Sequence, residues 1–337
     1  FYVVNALIGL GNAFQWPAYS AAITTMVPKE QYGRANGLMS LVQAGPAVVA
    51  PLLAGALLPV IKLNGILLID IATFLLAIGA LMLVHVPPPT RTVDGQAGKG
   101  GLWHEATFGF KYIFARPSLL GYVILLFFAN LFLGFPNSVH MPMVLLRTDN
   151  NSLILGAAQT AGAISWTVGS LLMSAWGGPR RRIHGALLGW IFYCLFGNII
   201  FGLGRSLGVW VPAILVAGIG SNIGVATSTA ILQAKVAPDV QGRVFSARRM
   251  LTWFPDTFTP ILGGLLADYV MEPAMQSPGW LAGLFGWMVG TDPGSGMALI
   301  MIIFGFLTIF TMLSGYLNPN IRNMEDLLPD HDQLPKA

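Results

Sequence analysis

The chain has 337 residues, of which 55% are hydrophobic and only 9% are charged. A water-soluble domain carries nearer a quarter charged residues, so this composition excludes a globular enzyme with a large aqueous surface. The net charge of +4 comes from basic residues in short loops between apolar runs, where they orient a chain in a bilayer and do not form a nucleic-acid surface.

The apolar runs are about twenty residues or more, enough to cross roughly 30 Å of hydrocarbon as a helix. They predict nine spans, over 3–27, 37–59, 65–86, 118–146, 153–176, 183–204, 208–235, 249–271 and 296–317. The expected fold class is therefore an all-α, multi-pass membrane protein.

Pro87-Pro88-Pro89 ends the third run, and 91–101 is a Gly-rich polar linker. From Leu102 to Ala115, the spacing of Trp103, Phe110 and Phe114 predicts an interfacial helix, with His104, Glu105 and Lys111 reaching water. Cys194, the single cysteine, lies inside a run, which excludes a disulfide framework and a thiolate metal site. Trp280 to Val289 is apolar but too short to cross, and is expected to rest in the outer interface. The tail, with Glu325, Asp326, Asp330 and Asp332, is expected to be a solvated end.

An internal repeat links the runs. With an offset of 209 in numbering, Gly33-Arg34 falls on Gly242-Arg243, Pro46 on Pro255, Pro51 on Pro260 and Gly55 on Gly264, without a gap. Gly and Pro at fixed register record the same bends and close backbone approaches, so the chain is expected to contain two equivalent halves. An even number of span starts separates the copies, which makes the repeat parallel, related by an axis along the membrane normal. Three spans stand upstream of the second copy, and their counterparts would precede Phe1. The expectation is a fold of twelve spans, in two bundles of six, of which this chain holds nine. The corresponding divisions are 1–86, the last three spans of the first bundle; 87–117, a cytoplasmic linker; 118–317, the second bundle; and 318–337, a cytoplasmic tail.

Fifteen of the 18 lysines and arginines fall on one side of this arrangement, and only Lys62, Arg147 and Arg205 on the other. That asymmetry predicts a cell-membrane protein with the Gly-Arg loops, the linker and the C-terminus in the cytoplasm.

Four stretches carry a family resemblance: VPKEQYGRANGL at 27–38, HEATFGFKYIFARPSLLG at 104–121, SLLMSAWGGPRRRIHG at 170–185 and PDVQGRVFSARRM at 238–250. They resemble the major facilitator superfamily, and within it the drug:proton antiporter branch of macrolide efflux proteins. The resemblance implies alternating access between two bundles and proton-driven export of a hydrophobic or amphipathic compound. Departures are visible. The antiporter signature of the fifth span is reduced to Ala50-Pro51-Leu52-Leu53-Ala54-Gly55, with Thr259-Pro260-Ile261-Leu262-Gly263-Gly264 as its partner. No membrane-embedded Arg occurs in 3–27, and the loop from Gly177 to Gly185 lacks the Asp of the cytoplasmic gating motif. Pro51, Gly55, Pro260 and Gly264 retain the physical content of the signature, a bend with small residues at a helix contact.

Intramembrane carboxylates are costly and are candidates for ion coupling. Asp256, between Pro255 and Pro260 on a span that lines the cavity of the resembled fold, leads; Asp70 follows, although its place near a span end equally fits simple solvation. Asp268 and Glu272 are expected to meet water at the outer end. Arg34 and Arg243 are the candidate cytoplasmic gate, pairing with helix C-termini or carboxylates, with plain orientation of the chain as the alternative. Gln15, Trp16, Tyr19, Gln43, Asn130, Asn137, Gln159, Asn222 and Trp253 are candidate cavity residues, each of which could equally serve interhelical packing.

Gly218, Gly220 and Gly224 do not form a nucleotide fingerprint, because no strand precedes them; close helix packing accounts for them. Five scattered histidines lack ligand spacing, so no metal, no cofactor and no catalytic group is expected. The expected partners are a small-molecule substrate, protons and membrane lipids, with the protein a monomer. An uncoupled facilitator and an exporter of a siderophore-like molecule are the alternatives. A membrane-embedded lipid enzyme would need clustered Asp, His or Glu that the sequence lacks.

Overall fold

The computed structural model describes residues 15, 19–83, 92–97, 100–276 and 279–333; of these, the side chains at 44–56, 58–59, 63, 94, 102 and 106 are not described. Helices make up the described fold, and no strand occurs among the described residues. The long helix α1 (Tyr32–Leu83) is two helices joined at Lys62, whose φ of 56° and ψ of −178° leave the helical path. The predicted spans 37–59 and 65–86 therefore meet at one residue, without a loop. Next come α2 (Leu102–Phe114) and α3 (Pro117–Arg147), which starts on a proline whose fixed φ suits the first turn.

α4 (Ser152–Trp176) is capped by the Asn151 side chain, which accepts from the amides of Leu153 and Ile154, and it ends on Gly177 in the left-handed conformation. α5 (Arg182–Leu203) contains a π-helical stretch, Cys194–Ile200. α6 (Leu207–Lys235) follows. The predicted span 249–271 is not one helix. It is α7 (Gln241–Trp253), a 3-10 turn over Phe254–Thr257, α8 (Thr259–Leu266) and a π turn over Ala267–Met271. α9 (Trp280–Val289) is short, and α10 (Ser295–Leu317) closes the bundle.

Among the described residues, five helical stretches are long and apolar enough to cross a membrane: Asn64–Leu83, Pro117–Arg147, Arg182–Leu203, Leu207–Lys235 and Ser295–Leu317. Asn64–Leu83 is apolar yet buries none of its residues inside the protein, so lipid or other helices must cover it.

α6 is the axis of the packing, with α4 and α5 against it, α3 against α10, and α1 against α4 and α6. Its glycines set the spacing. A Cβ on Gly218 would stand 2.1 Å from Ser165 Oγ of α4, and one on Gly189 of α5 would stand 2.5 Å from the Gly224 amide. Backbones this close gain dispersion contacts that a side chain would exclude. Polar stitches reinforce the α4–α6 seam: Ser165 Oγ donates to Leu215 O at 2.6 Å, and Asn222 Nδ2 to Trp166 O at 3.0 Å.

Three expectations change. The tail is not a solvated end: Ile321 and Met324 are buried in the core, and the carboxylates of Glu325, Asp326, Asp330 and Asp332 are all engaged. α2 packs its Gly109, Tyr112 and Ile113 face on α7, so close that a Cβ on Gly109 would stand 2.2 Å from Arg243 O. Trp103 and Phe114 stay exposed on α2 while Phe110 turns toward the core. Glu272 does not face water: it is buried and accepts from the amides of Gly294 and Met297 at 3.1 and 2.9 Å, satisfying the start of α10.

Candidate functional site

A cavity of about 410 Å³ opens between α3, α4, α5, α6 and the 3-10 turn that follows α7. Its size falls within the ordinary range for small-molecule sites. Leu133, Ala158, Ile214, Ala217 and Val225 give it apolar walls; Asn130, Asn137, His140, Gln159, Trp190, Asn198 and Asp256 give it polar points.

Asp256 reaches this cavity because its helix breaks there. Pro255 and Pro260 cannot donate to a helical ladder, and the Phe254–Thr257 stretch tightens to 3-10 geometry between α7 and α8. Discontinuous spans put irregular backbone where it lines a cavity, the only place at membrane depth where it can be satisfied. The break is buttressed by α3: a Cβ on Gly134 would stand 2.1 Å from Thr259 Oγ1, and one on Gly263 2.1 Å from Ser138 Oγ. Both contacts share one offset in numbering, so α8 runs alongside α3 in the same direction. His140, further along α3, stacks its ring on Phe201, with centroids 4.3 Å apart.

Of the sequence candidates, Asn130, Asn137, Gln159 and Asp256 line this cavity together. Asn222 does not. It is fully buried in the α4–α6 seam, bonded to Trp166 and Ser170. Trp253 lies outside, half exposed under the Arg249 guanidinium at 4.2 Å. Gln15, Tyr19 and Gln43 are exposed and do not line it; Trp16 lies outside the described residues. Asp70 is exposed on the Asn64–Leu83 stretch, away from the cavity.

Pro51 and Gly55 fall within α1, but their side chains lie outside the described residues. Pro260 starts α8. Gly264 makes no close contact, and the tight approach belongs to Gly263 one residue earlier. His140, Trp190 and Asn198 were missed. Asn198 and His140 carried a readable signal, a polar group deep in an apolar run, while Trp190 carried none.

The segment before the linker meets the rest of the bundle at its basic end, where Lys29, Arg34, Lys235 and the tail collect. A Cβ on Gly33 would stand 1.9 Å from Gly177 O, and one on Gly37 2.5 Å from the Ser174 amide, so α1 lies backbone to backbone on the end of α4. Arg34 runs over that cap, its Cγ 3.1 Å from where a Gly177 Cβ would be. Its counterpart Arg243 faces α2, with Glu105 at 4.0 Å and the Phe108 ring centroid at 5.6 Å; Gly242 is open.

Between these arginines runs a buried amide network that sequence reasoning did not find. Asn36 Nδ2 donates to Gln233 Oε1 at 2.6 Å, Gln233 Nε2 to Ser20 Oγ at 3.1 Å, and Thr24 Oγ1 to Gln241 Oε1 at 3.1 Å. The tail closes over it. Lys29 Nζ donates to Asp330 and Asp332 at 2.9 and 2.8 Å, Lys235 Nζ to Asp330 at 2.8 Å, and Tyr32 Oη meets His331 Nε2 at 3.2 Å.

At the opposite end, Arg147 is spent on backbone, donating to the carbonyls of Gly202, Gly204 and Val289. No group of His, Cys, Asp and Glu among the described residues could hold a metal ion.

A bundle with a broken helix at a central cavity is the architecture of a transporter, and the sequence matches the model of the Major Facilitator Superfamily over residues 1–260. The chain belongs to the major facilitator superfamily. It is 24% identical over 271 residues to macrolide efflux protein A of Streptococcus pyogenes, covering 80% of this chain and 66% of that protein. It is 25% identical over 247 residues to macrolide efflux protein A of Enterococcus faecalis, covering 72% of this chain and 75% of that one. The chain therefore spans just under two thirds of the length of the streptococcal relative. No solved structure matches. Membership places the chain in a family of membrane transporters.

Proposed function

We propose that the protein exports a hydrophobic or amphipathic compound, of the macrolide-like kind named in its relatives, by alternating access coupled to protons. The observation that carries this reading is Asp256, a carboxylate at a helix break in a largely apolar cavity. Proton uptake there removes a charge that the bilayer interior penalises and alters the affinity for a cationic or polar cargo.

The basic end is the cytoplasmic one, by the positive-inside rule. The Gly33–Gly177 contact, the Asn36–Gln233 network and the tail form the inner gate in its closed arrangement, with Arg34 and Arg243 flanking it. Thr24 and Gln233, like Tyr32 and Gln241, are related by the offset of 209 in the numbering and come together at this gate. That meeting of equivalent positions supports two rocking halves about a shared axis. The trimmed motif around Pro51, whose partner segment touches α3 through Gly263, would serve the pivot.

The test is dye transport into proteoliposomes with and without a pH gradient. Asp256→Asn is expected to abolish gradient-driven transport while leaving binding of an uncharged dye intact. Equal transport with and without a gradient in the unaltered protein favours an uncoupled facilitator, and unchanged transport in Asp256→Asn removes the carboxylate from the mechanism.

A further inference from the structure

Two donors on α5 stand without a hydrogen-bond partner among the described residues: the Nδ2 of Asn198, which is 2% exposed, and the buried Nε1 of Trp190. Both residues line the cavity that Asp256 enters. The other amide groups there stand differently: Asn130 donates to Leu126 O at 2.9 Å, Gln159 has Met141 Sδ at 3.7 Å, and Asn137 is exposed. A buried donor left unmade against apolar walls costs the full loss of its hydration. Asn198 also sits in the π-helical stretch Cys194–Ile200, and π segments in helices are frequent at functional sites because the extra residue re-aims the side chains around it.

We infer that Asn198 and Trp190 form a donor subsite that reads oxygen acceptors on the cargo, separately from any charge that Asp256 meets. This rests on the transporter reading above and adds the chemistry of the ligand. Eight residues separate the pair, about 12 Å along the helix, so a cargo engaging both carries ether, ester, hydroxyl or carbonyl oxygens at two separated points. A cation without oxygen can use Asp256 and gains nothing from α5.

The experiment compares binding of two cationic dyes to the purified protein by fluorescence polarisation: rhodamine 6G, which has ring-ether and ester oxygens, and ethidium, which has none. Asn198→Leu removes the donor at similar volume, Trp190→Phe removes the indole N–H, and Asn198→Gln keeps an amide donor. The expected result is about a tenfold loss of rhodamine 6G affinity in Asn198→Leu, the value of one neutral hydrogen bond. Trp190→Phe should show a similar loss and Asn198→Gln a partial recovery, with ethidium unchanged throughout. Ethidium binding at the unaltered affinity also shows that each variant is folded.

Loss of both dyes alike, or of neither, in both Asn198→Leu and Trp190→Phe overturns the subsite. If the dye-selective loss appears but the unaltered protein moves neither dye across proteoliposomes, the export reading fails and the donor subsite stands.

Discussion

Glycine positions separate into those that the fold requires and those that it does not, and the distinction predicts which substitutions are tolerated. Gly189 holds α5 against α6 with a backbone amide 2.5 Å from where its Cβ would be, whereas Gly264 has open space. Gly189→Val should therefore destabilise the protein by about 3 kcal/mol, the upper end of overpacking costs, because backbone and not a flexible side chain must yield. Gly264→Ala should be neutral. Thermal unfolding in detergent checks both, and equal effects would contradict the packing described. Asp256 was legible in the sequence because a carboxylate between two prolines in an apolar run is conspicuous. Asn222 shows the limit of the same reasoning, since a polar group in a span can be spent on a neighbouring helix, and only the partner distance reveals which.

Helices were the most legible level. The predicted runs at 118–146, 153–176, 183–204, 208–235 and 296–317 agree with the observed helices to within a residue at each end, because hydrocarbon thickness sets a minimum apolar length that polar or turn-forming residues bound on both sides. What the hydropathy pattern could not show was how a polar tail is used. Pro255 and Pro260 mark the break at Asp256, whereas charges in a tail look the same whether solvated or paired.

The tail clasp makes a prediction with a definite sign. Burial works against ionisation of Asp330, but the flanking Lys235 and Lys29 outweigh it and hold its pKa below the ordinary carboxylate value; Asp332 is lowered mainly by its hydrogen bond to Lys29. Burial lowers His331, so it is neutral where it meets Tyr32. Lys29 is raised, chiefly by its hydrogen bonds to Asp332 and Asp330. Attachment of the tail should thus be full near pH 8. It should weaken as pH falls below about 6.5, the unperturbed histidine value, and again below about 4 as the carboxylates protonate. Lysine deprotonation would loosen it only above about 10.4. Hydrogen exchange over residues 324–333 at graded pH reads this, and protection unchanged down to pH 4 would contradict it.

The amide network beneath the tail joins α1 to α6 by direct contact. Asn36→Ala and Gln233→Ala in a double-mutant cycle on thermal stability should show coupling of about 1 kcal/mol, whereas additive losses would mean that the 2.6 Å bond contributes nothing across the gate.

At the scale of the whole molecule, the repeat of Gly and Pro at an offset of 209 is the regularity on which the proposed rocking rests. Tandem halves that touch and part would keep the same bends and small residues at the same register, while the side chains that decide cargo would be free to differ. Gly33, Pro255 and Pro260 stand out in the sequence because each meets the same residue type at the offset of 209; Asn36 and Gln233 meet Phe245 and Thr24, so nothing in residue type marks their bond. In the proposed mechanism the Gly33–Gly177 contact opens when the cavity is loaded.

Leu38 and Trp176 are both exposed beside the Gly37–Ser174 contact, and the one native cysteine, Cys194, is buried, so cysteines at 38 and 176 accept spin labels cleanly. The distance between those labels, measured in proteoliposomes during dye transport, is the most direct test of rocking halves. A single short distance at rest that gives way to a second, longer population with dye and a pH gradient is the predicted result; one unchanging distance in protein that is moving dye would contradict it.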